Sequence, residues 1–207
     1  MTLITRHSSS GFSLVELMVA VFVSLILASV AVFNYASARR NVKTNVAANM
    51  VSSLLQQARQ STITSRKQHR VTITRSPDPK GNINLISIAT INPSDGSANI
   101  IREEYLPQDV ILEPSPDAVL AGSPVPIPAN APFNAAIPAG AITFIYNVDG
   151  SVSDGAGNPL TCSIFFSDSP LGRNLPITRA ISLYSSTGEV KYWFYDGAKF
   201  VSGARNN

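Results

Sequence analysis

The chain has 207 residues, 14% of them charged, and a net charge of +3. That length allows one domain with an appendage, or two small ones. So modest a charge gives no argument for a nucleic-acid or anionic-membrane partner, and a single cysteine, Cys162, excludes an internal disulfide.

The first element is apolar. Residues 17–38 carry no charge at all, which is long enough for a helix to cross the roughly 30 Å hydrocarbon core of a bilayer. Glu16 stands at the threshold of this run. Two export readings compete. A secretory signal peptide would be cut at Ala36-Ser37-Ala38, an A-x-A site, although the run is longer than the usual apolar region of about 7–15 residues. In the other reading the segment stays as an anchor, and its small residues Ala20, Ser24, Ala28, Ser29 and Ala31 suit close helix contact in lipid. Flanking charge points a third way. Arg6 precedes the run while Arg39, Arg40 and Lys43 follow it, so the positive-inside rule alone puts the C-terminal side in the cytoplasm.

Helical periodicity continues past Ala38. Val42, Val46, Met50, Leu54 and Ala58 recur every four residues, joined by Ala47, Val51 and Leu55, as on an amphipathic helix. No Gly or Pro falls between Phe12 and Ser76. The pattern predicts one helix over residues 12–65, roughly 80 Å long at about 1.5 Å per residue. Cleavage after Ala38 would sever it in the middle.

Beyond Ser65 the apolar period changes from 3.6 to 2, and strands are expected at 70–74, 83–91, 99–106, 141–146, 161–166, 179–184 and 189–195. Ser185-Ser186-Thr187-Gly188 reads as a turn between the last two, and Asp196-Gly197 as a two-residue hairpin turn. Cys162 reads as a buried small apolar residue, with an intermolecular bridge or a redox role as the alternatives. Residues 114–140 hold seven prolines and one charge, Asp117. Such a segment cannot be a central strand and is expected to run as an extended or polyproline II-like surface loop. It is either a passive insertion or a partner-docking loop. The expected fold class is α+β: a long N-terminal helix, membrane-spanning in its first half, packed on an antiparallel β-sheet domain.

No catalytic constellation emerges, and the chain reads as a non-enzyme. His69 sits among Arg66, Lys67 and Arg70 and reads as a solvated face residue; nothing supports its pairing with Cys162 as a nucleophile. Metal sites need clustered ligands, and none cluster. Residues 147–155 have oxygen-rich spacing but place Val152 where an EF-hand needs its turn glycine, so they read as a Gly/Asp turn. Gly150, Gly155 and Gly157 do not lead a strand into a helix, so no phosphate cradle is indicated. No cofactor is expected. Arg59, Arg66, Lys67, Arg70 and Arg75 gather around the helix end, and with Tyr192-Trp193-Phe194-Tyr195 and Arg205 they are candidates for phosphate contacts to DNA. In that aromatic run Tyr192 and Phe194 share one face, and Trp193 and Tyr195 the other.

Gly11-Phe12-Ser13-Leu14-Val15-Glu16-Leu17-Met18 resembles the class III leader of type IV pilins and type II secretion pseudopilins. Their pattern is a short basic leader ending in Gly, then Phe, then Ser/Thr-Leu-Val/Ile-Glu. The resemblance implies cleavage between Gly11 and Phe12 by prepilin peptidase and N-methylation of Phe12. It implies a single-pass protein of the bacterial inner membrane with its globular domain in the periplasm, opposite to the reading of the flanking charges. It also implies later assembly with other pilin or pseudopilin subunits into a pilus or pseudopilus. The domain organisation then reads as a leader at 1–11, a transmembrane helix at 12–38, its amphipathic continuation at 39–66, and a β-rich domain at 67–207 carrying the 114–140 insert.

Glu16 finds a use in that setting. A carboxylate at the membrane centre costs about 2.5–3.5 kcal/mol on insertion scales and usually has a partner. The first helical turn favours negative charge. Cleavage creates a positive amine at Phe12, and Glu16 of one subunit can meet that amine of its neighbour in a filament. The pair would remove two unfavourable charges from an apolar core and fix axial register. The alternative is that Glu16 is a solvated flank at the lipid interface.

Two further stretches resemble the GspH/FimT group. One is Leu54-Leu55-Gln56-Gln57-Ala58-Arg59-Gln60, followed by Arg66, Lys67 and Val71-Thr72-Ile73. The other is a pair of strand–turn units, Ile142-Thr143-Phe144 leading to Asp149-Gly150 and Ile181-Ser182-Leu183 leading to Thr187-Gly188-Glu189-Val190. Phe33 departs from the family, many members of which have Pro before the residue matching Asn34; its presence predicts a straighter helix. The chain therefore reads as a minor pilin or pseudopilin. A DNA-binding minor pilin for DNA uptake and a secreted soluble β protein cleaved after Ala38 are the alternatives.

Overall fold

The computed structural model describes residues 13–78, 81–108, 110–113, 141–167, 177–197 and 199–203. Gly11, Phe12, the rest of the expected leader and the 114–140 insert lie outside the described residues. The chain divides into two compact units, Met1–Arg39 and Arg40–Asn207.

A single helix, α1 (Leu14–Ser65), runs for 52 residues, as the absence of Gly and Pro predicts. Its first backbone bond is donated by the Leu17 N–H to the Ser13 carbonyl at 3.1 Å, which puts Ser13 at the N-cap. In the first unit, Leu14–Val32 has a mean hydropathy of 2.6 and buries none of its residues. Its polar side chains are satisfied locally. The Ser24 hydroxyl donates to the Ala20 carbonyl at 2.8 Å and Ser29 to Ile26 at 2.7 Å, so neither presents an unmet donor to an apolar surrounding.

The second unit is α+β, and its strands form two antiparallel sheets of five. The first sheet has the order β3 (Ala98–Tyr105), β2 (Gly81–Ile91), β1 (His69–Asp78), β5 (Ala141–Tyr146), β6 (Val152–Ser153). The second has the order β10 (Phe200–Ser202), β9 (Val190–Tyr195), β8 (Arg179–Leu183), β7 (Cys162–Ser167), β4 (Ile111–Glu113). The seven expected strands are all present. The other three, β4, β6 and β10, are two or three residues long, too short to show a period.

One core joins α1 to both sheets. The helix contributes Ala47, Ala48, Val51, Leu54, Leu55 and Ala58. The first sheet contributes Val71, Ile73, Ile86, Ile88, Ile142, Phe144 and Tyr146, and the second Leu112, Cys162, Ile164, Phe166, Ile181 and Leu183. Burying each large aliphatic here contributes about 1.5–3 kcal/mol. Leu55, fully buried at the centre of the helical stripe, is the change most damaging to it, since truncation to Ala typically costs about 2–5 kcal/mol.

The helical stripe differs from the expected one at its start. Val42 is 58% exposed and Val46 47% exposed. Each step of four residues overshoots a full turn by about 40°, so three steps from Leu54 back to Val42 rotate the side chain by about 120°. The buried face instead passes through Thr44.

In β7 and β8 every residue is buried. One face of these strands meets the main core, and the other forms a small cluster of Phe165, Ala180 and Phe200 with Trp193 and Tyr195 packed against it. Phe200 meets the Phe165 ring edge-to-face at 5.4 Å and the Tyr195 ring at 5.6 Å. Tyr192 packs on the main core. The alternation expected for the aromatic run of β9 is present, with both of its faces covered. The turn after it is longer than expected. Tyr195 pairs with Phe200, and four residues, 196–199, make the connection, closed by the Asp196 N–H donating to the Lys199 carbonyl at 3.0 Å.

Candidate functional site

The N-terminal segment carries the one strong chemical signal. Glu16 lies in the first turn of α1, where the unpaired N–H groups and helix dipole favour a carboxylate. Its neighbours Leu14, Val15, Leu17 and Met18 are all exposed apolar side chains. Between Ser13 and Ala38 it is the sole charged residue. Gly11 and Phe12 lie outside the described residues, so the structure positions only the acidic member of the expected trio.

His69 is not on a solvated face. It is buried, and its ring fastens three elements. Nδ1 lies 3.0 Å from Thr62 Oγ1 on α1 and 2.9 Å from the Lys67 carbonyl, and Nε2 lies 3.3 Å from Thr90 Oγ1 on β2. The Thr62 hydroxyl donates to the Ala58 carbonyl at 2.8 Å, so its oxygen is free to accept from Nδ1–H. Nε2 then accepts from Thr90. The reason is register: His69 precedes Val71 and Ile73 by even steps on β1 and shares their inward face. The imidazole is committed to holding the helix end on the sheet and is not paired with Cys162. That thiol is itself buried, and burial pushes it up to about 12, so it is not a thiolate at neutral pH.

The described members of the expected basic cluster are divided, and Arg205 and the Arg75 side chain lie outside the described residues. Arg59 is half-buried and its Nε is buried against the turn at Gly150. Arg66 and Lys67 are exposed, and Arg70 is half-buried on β1. The oxygen-rich stretch at 147–155 uses its carboxylates to close turns. Asp149 accepts from the Ser151 hydroxyl at 2.6 Å and N–H at 2.9 Å; Asp154 accepts from the Asn158 side-chain amide at 3.1 Å and from the N–H groups of Asn158 and Ala156 at 2.8 and 2.9 Å. These bonds hold both carboxyls below the usual range. Among the described residues no three His, Cys, Asp or Glu side chains are grouped for a metal.

Sequence reasoning missed the buried polar contact centred on Arg179. Arg179 of β8 is buried and bonds to Asn41 and Asn45 of α1. An Arg at the start of a strand with no other charged residue was the available signal.

A family model described as the prokaryotic N-terminal methylation motif matches residues 6–32. This is a type IV pilin-like signal, and it spans the expected cleavage site, Glu16 and the whole exposed apolar segment Leu14–Val32. No curated protein and no solved structure matches the chain. The motif and the one apolar helix together fit a single-pass anchor in the inner membrane.

Proposed function

We propose that this chain is a minor pilin or pseudopilin of the GspH/FimT kind, a structural subunit and not an enzyme. Prepilin peptidase cuts it between Gly11 and Phe12, and Phe12 is N-methylated. The first half of α1 holds it in the bacterial inner membrane with the β domain in the periplasm. It then joins other pilin or pseudopilin subunits in a type IV pilus or a type II secretion pseudopilus.

The observation that carries this reading is the coincidence of the methylation motif at 6–32 with an apolar helical segment, Leu14–Val32, none of whose residues is buried within the chain. A surface of that kind needs lipid or another apolar helix against it. A filament supplies the second after the membrane has supplied the first. Within it, the Glu16 carboxylate takes the Phe12 amine of a neighbour as its partner and sets register along the axis.

The test is the mature N-terminus, measured by mass spectrometry on the chain recovered from membranes. N-methyl-Phe12 is expected. A chain beginning at Arg39 would mean release of a soluble protein and overturn the proposal, as would an unprocessed Met1.

A further inference from the structure

The joint between α1 and the domain has two different chemistries in succession. From Ala47 to Ala58 it is aliphatic, with Ala47, Ala48, Val51, Leu54, Leu55 and Ala58 all buried. From Asn41 to Val46 no apolar side chain is buried: Val42 and Val46 are exposed, and the inward positions are Asn41, Thr44 and Asn45. What holds these turns is polar. Arg179, 2% exposed, donates from Nη2 to Asn41 Oδ1 at 2.9 Å and from Nε to Asn45 Oδ1, while Nη1 donates to the Thr178 carbonyl at 2.9 Å. The Tyr192 hydroxyl donates to the same Asn45 oxygen at 3.0 Å. Thr44, fully buried, donates to the Ile177 carbonyl at 2.9 Å.

The two segments respond differently to opening. Separating the aliphatic stripe exposes its apolar surface to water with no compensation. Separating the polar segment exchanges each bond for one to water, and it also returns a desolvated guanidinium to solvent. Opening is therefore expected to cost less over residues 41–46 than over 47–58, although both lie on one continuous helix.

We propose that residues 41–46 form a releasable latch. These turns of α1 unwind as they leave β8 and β9 and re-form on re-docking, with Arg179 and Asn45 as the catch, while the stripe from Ala47 to Ala58 stays seated. The device loosens the entry of the helix into the β domain without unfolding the domain. It does not depend on the filament reading.

The test is hydrogen–deuterium exchange by mass spectrometry on the full chain in detergent micelles. Amides of 42–46 are expected to exchange at least about tenfold faster than those of 51–58. Asn45→Ala removes the acceptor shared by Arg179 and Tyr192 while raising helix propensity. It should speed 42–46 by about a further tenfold and leave 51–58 within about twofold. Tyr192→Phe, which keeps the packing, should give a smaller acceleration confined to the same amides. If 42–46 exchanges as slowly as 51–58, or if either substitution moves both segments together, the joint opens as one unit and there is no latch.

Discussion

A Cβ on Gly188 would sit 2.2 Å from the carbonyl oxygen of Gly150. The two turns that follow β5 and β8 therefore lie directly against each other, also linked by the Val152 N–H donating to the Ser185 carbonyl at 2.7 Å. Tyr146 and Arg59 close the other sides, with atoms 3.1 and 3.3 Å from the same position. Gly188 also has φ +62, so an L side chain there meets both backbone strain and a backbone oxygen that cannot yield. Gly188→Ala should destabilise the domain by more than about 3 kcal/mol. Gly96→Ala, at a similar φ of +67 with nothing within 4 Å, isolates the strain alone and should cost about 1 kcal/mol. Chemical denaturation of the two variants checks the difference. Equal losses would mean that the turns are not in contact.

The buried imidazole of His69 gives a second prediction. It joins Thr62, the Lys67 carbonyl and Thr90, so His69→Ala strands polar groups and leaves a void. The expected loss is about 2–4 kcal/mol. Thr62→Val keeps shape but removes one of the three partners, and should cost about 1–2 kcal/mol. A surface histidine would show neither loss in a denaturant titration.

These residues also mark where the sequence could be read and where it could not. The change of period at Ser65 located α1 and the seven longer strands, because each runs long enough to show its apolar pattern. The same parity places His69 inward, two residues before Val71; its charged neighbours Arg66, Lys67 and Arg70 masked that signal. The division into two sheets was not legible, since alternation reports which face is buried and not which strand lies beside it. Nor was the Arg179 contact with Asn41, whose partners are 138 residues apart and share no local pattern. The N-terminal motif is the opposite case. It is read from consecutive residues, and of its key positions the structure adds only the placement of Glu16 on the first turn of the helix.

Alkaline pH should weaken the domain. Burial pushes the Cys162 thiol from an ordinary value of 9.0 up to about 12. It also raises the Tyr146 and Tyr192 hydroxyls, opposed in part by Arg59 and Arg179 respectively. Each group binds its proton more tightly in the folded chain than in the unfolded one. Their contribution is thus complete below the unfolded value and is lost as pH climbs through the folded one. Stability should hold level to about pH 9 and then decline toward pH 12. Cys162→Ala should shrink the first part of that decline, measured as denaturation midpoints across the range. A midpoint that rises above pH 9 would contradict the burial of these groups.

Glu16→Ala and Glu16→Val separate processing from assembly. The proposed cleavage site between Gly11 and Phe12 is untouched, so the mature N-terminus should be unchanged by mass spectrometry. In the proposed filament Glu16 is one partner of a buried ion pair, and removing one partner of such a pair costs about 3–5 kcal/mol. Incorporation into filaments, read by co-purification with sheared pili or pseudopili, should therefore fall to background. Normal incorporation would mean that Glu16 does not set the register.

The end of α1 offers a change in the stabilising direction. Arg66 follows the last helical residue with φ 54, the sole non-Gly residue with positive φ among those described. It occupies the left-handed position that closes a helix, where Gly is favoured because a Cβ costs about 1–2 kcal/mol. The Arg66 side chain is exposed, so little packing is lost with it. Gly adds about 0.5–1 kcal/mol of unfolded-state entropy against that gain. The balance for Arg66→Gly is a stabilisation of a few tenths to about 1 kcal/mol. It should appear as a higher denaturation midpoint with an unchanged slope, because the extent of the folded structure is the same. A lower midpoint would show that the Arg66 side chain contributes a contact worth more than the strain it imposes.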